Sequence, residues 1–247
     1  MEKIKNFIPK GTLFKMNCGA FIEVVEYTNA AKILVKFTDN KSEPFYAHIS
    51  NLQKGKYKNR FHPCSWGVGY EGIGKYSFSA DSFAARSWRG IIQRAYSVTE
   101  RNSRPLTKDV VVCEEWHNFQ NFAEWAVSQK GYGLENFEID KDLIVLGNSM
   151  YSKEYCCYLP REINTRLPKR YGDFDKVYYY EKEGVYKSFY NDETKVKRCI
   201  SGKDREQVSM LRKIAINKMI KCISEKYFEY LDEKVIARLC DYYELDK

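Results

Sequence analysis

The chain has 247 residues, of which 44% are hydrophobic and 30% charged, with a formal net charge of +8. That balance belongs to a soluble globular protein with room for one large domain or two to three small ones. No apolar run reaches the length of a membrane span, and no basic segment followed by an apolar h-region opens the chain.

The basic excess favours a polyanion as partner, nucleic acid first. Twenty tyrosines and fourteen phenylalanines lie among the lysines and arginines. Most belong to a core, while exposed ones suit base stacking. None of the eight cysteines forms a C-x-x-C pair, which argues against a zinc ribbon. They are expected as reduced thiols in a cytoplasmic compartment.

Residues 1–66 predict a small β-barrel-like module. "AFIEVVEY" (Ala20–Tyr27) and "AKILVKFTD" (Ala31–Asp39) are rich in β-branched and aromatic residues, as strands are. "TNAA" between them predicts a turn in which Asn29 takes a left-handed backbone. "EPFYAHI" (Glu43–Ile49) predicts a third strand. The run "QKGKYKNRFHP", with Lys54, Lys56, Lys58 and Arg60, is either a solvated linker or a phosphate-tracking arm. "GVGYEGIGKYSF" (Gly67–Phe78) lacks the dinucleotide fingerprint and predicts a short strand or tight loop.

"SADSFAARSWRGIIQRAYSV" predicts a helix capped by Ser82 or Asp81. Ala84, Trp88, Ile91, Ile92 and Ala95 form its apolar stripe. Arg86, Arg89 and Arg94 lie off that stripe, on a solvated or a phosphate-binding face. "LTKDVVVCEEW" (Leu106–Trp116) begins as a strand. "WHNFQNFAEWAVSQ" predicts a second helix with Phe119, Phe122, Trp125 and Ala126 inward. "FEIDKDLIVLGNSMYSKEYCCYLP" (Phe137–Pro160) predicts a hairpin. Asp140, Lys141 and Asp142 close its first apolar run, and Gly147–Asn148 turn the chain. "REINTRLPKRYGD" is a basic loop carrying Arg166, Lys169 and Arg170.

The tail predicts three strands, Lys176–Lys182, Gly184–Asn191 and Thr194–Ile200, then a long helix from about Asp204. Val208, Leu211, Ala215, Met219, Ile223 and Tyr227 are its expected packing stripe. Arg205, Arg212, Lys213, Lys218 and Lys221 load its first half with positive charge. The uncovered sheet face, with Tyr178, Tyr180, Lys195 and Lys197, suits a major groove.

Four segments in order, "SWRGIIQRAY", "VCEEWHNFQNFAEW", "IDKDLIVLGNSMYSKEYCCYLPREIN" and "KVYYYEKEGVYKSFYN", carry a resemblance. Residues 67–247 resemble phage-borne HNH-type endonucleases, many of the homing kind, that end in an Apetala-type DNA-binding domain. The resemblance implies an α+β chain in three parts. These are the β module at 1–66, a ββα-metal-like (HNH-like) core at 67–170, and a three-stranded antiparallel sheet packed on a helix at 171–247. It implies double-stranded DNA as partner and Mg2+ or another divalent cation as cofactor, with no zinc and no membrane.

On that pattern Asp140 matches the metal-binding aspartate and Asn148 the middle asparagine. Lys141 stands where a general-base histidine belongs, and Tyr155 where a last ligand belongs. A lysine ammonium accepts no proton at neutral pH, and a tyrosine hydroxyl is a poor magnesium ligand. Asp142 and Glu154 can complete an oxygen-only site with Asp140, and His117 can supply the base from elsewhere. The catalytic candidates are therefore Asp140, Lys141 and His117, and the metal candidates Asp140, Asp142 and Asn148. Alternatively, Asp140 and Asp142 cap the hairpin and pair with Lys141 or nearby arginines. His48 and His62 are ordinary loop or strand residues. The nucleic-acid candidates are Arg86, Arg89, Arg94, Arg166, Lys169, Arg170, Tyr178, Tyr180, Lys195, Lys197 and Arg198. The function expected is a phage-type, HNH-endonuclease-like protein that binds double-stranded DNA, with metal-dependent nicking or cleavage at a non-standard site as its active version. The alternatives are an inactive DNA-binding regulator and a module that engages a host or phage protein.

Overall fold

A computed structural model describes residues 7–103, 108–167 and 175–241; Lys169 and Arg170 lie outside them. The chain is α+β and divides into two compact units, residues 1–100 with 114–123, and residues 101–113 with 124–247. Among the described residues no helix is long and apolar enough to cross a membrane.

The first unit opens with an antiparallel meander, β1 (Leu13–Lys15), β2 (Phe21–Asn29), β3 (Lys32–Phe37) and β4 (Phe45–Ala47), followed by α1 (Ile49–Gln53). Alternate residues of a strand share a face. Ile22 and Val24 of β2 and Ile33, Val35 and Phe37 of β3 thus fall on one side, buried with Met16, Ala47 and Leu52. The β2–β3 turn is made by a side chain and not by a left-handed backbone. Asn29 Oδ1 accepts the Ala31 and Lys32 N–H groups at 2.9 and 3.0 Å, and Asn29 is absent from the positive-φ residues. His48 caps α1, its Nδ1 accepting the Ser50 N–H at 3.1 Å. In the basic run Lys58 and Arg60 converge on Glu71, at 2.6 and 3.7 Å.

An aromatic core follows. Ser82 caps α2 (Phe83–Tyr96), and every residue of the expected stripe is buried. Trp88 donates its indole N–H to the Trp116 carbonyl at 2.7 Å and meets Phe119 edge-on at 5.8 Å. Trp116 lies in a 3-10 turn, Glu114–His117, ahead of α4 (Phe119–Ser128). The glycine-rich segment is the loop that closes over this core. A Cβ on Gly69 would stand 2.6 Å from the Trp88 ring, so the backbone approaches there only without a side chain. Between these parts α3 (Val98–Ser103) leads towards the second unit.

In the second unit β6 (Phe137–Asp140) pairs antiparallel with β8 (Cys157–Pro160), as a hairpin should. The residues between them do not run back along the partner strand. They form a loop and then β7 (Met150–Tyr151), which pairs parallel with β5 (Val111–Val112). The basic stretch after β8 begins as a short helix, α5 (Arg161–Asn164), and not as a loop. The tail strands are β9 (Tyr178–Tyr180), β10 (Val185–Asn191) and β11 (Lys197–Gly202), in the order β11-β10-β9. They pack on α6 (Arg205–Glu225), which is followed by α7 (Glu233–Asp241). The buried stripe of α6 differs from the expected one at its centre. Leu211 is 44% exposed, and Arg212 is 6% exposed in its place. Arg212 sends its guanidinium to the Phe189 carbonyl at 2.6 Å and the Ser188 hydroxyl at 3.2 Å, so this charge ties helix to sheet.

Candidate functional site

Strand register sorts the tail sheet into two faces. Tyr178 stands opposite Lys187, and Lys187 opposite Ser201. Phe189 stands opposite Cys199, and Asn191 opposite Lys197. These residues and Tyr180 therefore share one face. Ser188 and Gly202 lie on the other, where they meet Arg212 and Val208 of α6. The first face is the uncovered one. Tyr178 is 57% exposed and Tyr180 38% exposed.

Cations sit directly on these rings. The Lys187 ammonium lies 4.9 Å from the Tyr180 ring centre and the Lys197 ammonium 4.7 Å from that of Phe189. Such contacts hold a lysine stem flat against the ring, and Lys197 is exposed. Lys187 is also paired with Glu183 at 2.6 Å. Tyr178, Tyr180 and Lys197 thus stand together as expected. Phe189 and Lys187 complete the face, and counting by two from Tyr178 through the register identifies both.

One expected member of that face, Lys195, lies elsewhere, and so does the nucleic-acid candidate Arg198. Arg198 alternates with Lys197, so it points to the other side, where it pairs with Asp192 at 2.6 Å. Lys195 is in the β10–β11 turn and not on a strand, with a left-handed φ of 68°. Asp192 builds that turn. Its Oδ1 accepts from the Thr194 hydroxyl at 2.6 Å, the Val196 N–H at 2.9 Å and the Thr194 N–H at 3.0 Å. The Thr194 hydroxyl and then Arg198 hold the Asp192 carboxyl at a pKa of about 2.

The hairpin loop gathers four of the sequence-derived candidates into one hydrogen-bonded knot. Asp140, 3% exposed, accepts the Asp142 and Leu143 N–H groups on Oδ2 at 2.8 and 2.7 Å. Lys141, 8% exposed, places its ammonium 2.6 Å from Asp142 Oδ1 and 2.5 Å from the Asn148 carbonyl. Asn148 answers across the loop. It donates to the Lys141 and Met150 carbonyls at 2.9 and 2.6 Å and accepts the Met150 N–H at 3.0 Å. One oxygen on each of Asp140, Asp142 and Asn148 thus already faces a donor. An ammonium stands inside the loop, where a divalent ion would meet the carboxylates. Among the described residues no three of His, Cys, Asp and Glu are grouped to hold a metal. Glu154 and Tyr155 are exposed.

His117 belongs to the first unit, and Asp140 to the second. The His117 Nε2 lies 3.1 Å from the Tyr96 hydroxyl. Arg86 and Arg89 anchor the loop ahead of α2, donating to the carbonyls of Asp81 and Phe78 at 2.7 Å each. The Arg89 guanidinium also stacks 4.4 Å over Phe78. Arg94 is exposed. Arg166 donates to the Glu162 carbonyl at 2.9 Å and approaches the Glu162 carboxylate at 3.6 Å. The chain matches no family model, no curated protein and no solved structure.

Proposed function

We propose that the protein binds double-stranded DNA through the uncovered face of the β9–β10–β11 sheet, and that the Asp140 loop is a structural clasp and not a cleavage site. The observation that carries the first part is the pairing of the exposed Tyr180 ring and the half-buried Phe189 ring with lysine cations on the side turned away from α6. Three strands about 4.8 Å apart span about 10 Å, narrower than a major groove of about 12 Å. Tyrosine hydroxyls and lysine ammoniums are donors suited to base edges and phosphates there. The resemblance of the tail to Apetala-type readers and the net charge of +8 support the same reading.

The second part follows from the donor set. A divalent ion in the loop would have to expel the Lys141 ammonium and compete with the two N–H groups on Asp140. Mg2+ dehydrates reluctantly and demands near-ideal oxygen geometry, which a loop closed on itself does not offer. This reading favours a DNA-binding protein without cutting activity over an HNH-type endonuclease.

Fluorescence anisotropy with a labelled duplex tests the interface. Affinity should fall steeply with salt, because each phosphate contact releases counterions. Tyr178→Ala with Lys197→Gln should weaken binding at least tenfold without loss of fold, since both residues are exposed. Equal affinity in the variant and the native chain would place the reader elsewhere. No binding at any salt would leave the protein-partner alternative standing.

A further inference from the structure

Below the tail sheet the second unit contains a cleft of about 1010 Å³, bounded by α5, the end of β10 with its turn, and the middle of α6. Its size lies at the top of the roughly 300–1,000 Å³ usual for ligand sites, too large for a lone ion. Five cationic residues line it against two carboxylates. One carboxylate, Glu162, is already engaged. The Tyr227 hydroxyl donates to it at 3.0 Å and Arg166 approaches at 3.6 Å. Among the described residues, Arg161 and Lys195 line the cleft with no ion-pair partner.

Lys195 carries a second signal. It holds a left-handed φ of 68°, a region that side chains other than Gly, Asn and Asp rarely adopt. The turn is held by Asp192, which bonds Thr194 and Val196 through its side chain and the Lys195 N–H through its carbonyl at 2.9 Å. A strained residue kept by the surrounding bonds and set on a cleft wall is the pattern of a functional position.

We infer that this cleft is a phosphate-binding site, with Arg161 and Lys195 as its contacts, and that it takes the backbone of the DNA strand whose groove the tail sheet enters. The inference rests in part on the DNA-binding reading. Its own content is where a phosphate goes. Arginine offers a flat fork to phosphate oxygens and lysine a mobile point charge, so the two grip an irregular anion path without reading sequence.

The test uses the full chain and the double variant Arg161→Gln, Lys195→Gly. Glycine accepts the left-handed backbone freely, so the second change removes the charge and keeps the turn. Two probes are titrated, a 20-base-pair duplex over a salt series and inorganic pyrophosphate by calorimetry. The slope of log affinity against log salt should fall by about two in the double variant, near 0.9 for each contact. Affinity should drop alike for unrelated sequences. Arg161→Gln alone, an exposed change, should lower the slope by about one. The tail-face variant Tyr178→Ala should weaken duplex binding and leave the slope as it was. Pyrophosphate bound by the native chain and lost in the double variant would also support the site. If the duplex slope falls while pyrophosphate does not bind, the site takes a strand and not a free phosphate. If the native chain binds no duplex, the DNA-binding reading fails, and pyrophosphate alone decides for a free phosphate ligand. An unchanged slope with pyrophosphate binding also unchanged, or no binding of either probe, overturns the inference.

Discussion

Lys141 is a lysine kept almost wholly from water, and its neighbours explain why it stays. The ammonium replaces lost hydration with Asp142 Oδ1 and the Asn148 carbonyl, and Asn148 binds back to the Lys141 carbonyl. Removing one partner of a buried polar contact usually costs about 1–3 kcal/mol. Lys141→Met should therefore lower the unfolding free energy read from a urea titration by about that amount. Asp140→Ala should do the same, because it strips the acceptor from two backbone N–H groups. Neither change should alter duplex affinity, and the native protein should leave supercoiled plasmid intact with magnesium or manganese. Metal-dependent nicking that disappears in Asp140→Ala would sink the clasp reading. The four residues of the knot were legible as a group, since the acidic cluster and the Gly-Asn turn stand out in the sequence. Their roles were not, because only the folded loop shows which oxygens already face a donor. Arg212 makes the same point. By residue type it counts as surface charge, yet its stem fills the helix–sheet contact and its head meets the Phe189 carbonyl.

Among the elements, the β10–β11 turn has the sharpest chemistry. The Asp192 carboxyl is ionised down to about pH 2 in the folded chain, against an ordinary aspartate pKa of about 3.9. A folded pKa below the unfolded one stabilises the fold fully above about pH 4 and loses that contribution as pH falls through about 2. The Thr194 and Val196 amide resonances should hold their native positions on acidification until about pH 3 and then move together. In Asp192→Ala the turn should be disturbed at neutral pH as well, with faster amide exchange at Val196. Movement of these amides near pH 4 would show that the carboxyl is not held. Strands and helices with clear periodicity were legible: β2, β3, α2 and β10 stand where alternation and apolar spacing place them, while β11 begins three residues later than the pattern places it. β7 was not. Its two residues leave the hairpin to pair with β5, about forty positions earlier, and no local pattern encodes a partner at that distance. Leu211 and Arg212 exchanged places for a related reason, since the angle at which α6 meets the sheet selects the buried row.

At the scale of the whole molecule the charge and the thiols are the accessible handles. None of the eight cysteines, all among the described residues, is joined in a disulfide. Cys64, Cys199, Cys222 and Cys240 are exposed, while Cys156 and Cys157 are buried and burial pushes both thiols above their usual range. Only a thiolate reacts readily. A disulfide exchange reagent should therefore label the exposed four quickly in the native state. Cys156 and Cys157 should react only at the rate at which the second unit opens, and fully in urea. Early labelling of either would mean that the β6–β8 core is looser than its packing indicates.

The mixture of strands and helices, the basic balance, most element positions and the aromatic core of α2 and α4 can be read from the residues in order. These follow from composition and from periods of 2.0 and 3.6, which are local properties of the chain. That Phe189 and Lys187 join Tyr178 and Tyr180, that Arg198 faces away, and that Lys195 lies on the cleft and not on a strand emerge from the folded chain alone. Each depends on register, on a backbone held at positive φ, or on a contact between residues far apart in sequence. Such features are set when buried donors and acceptors must all find partners at once.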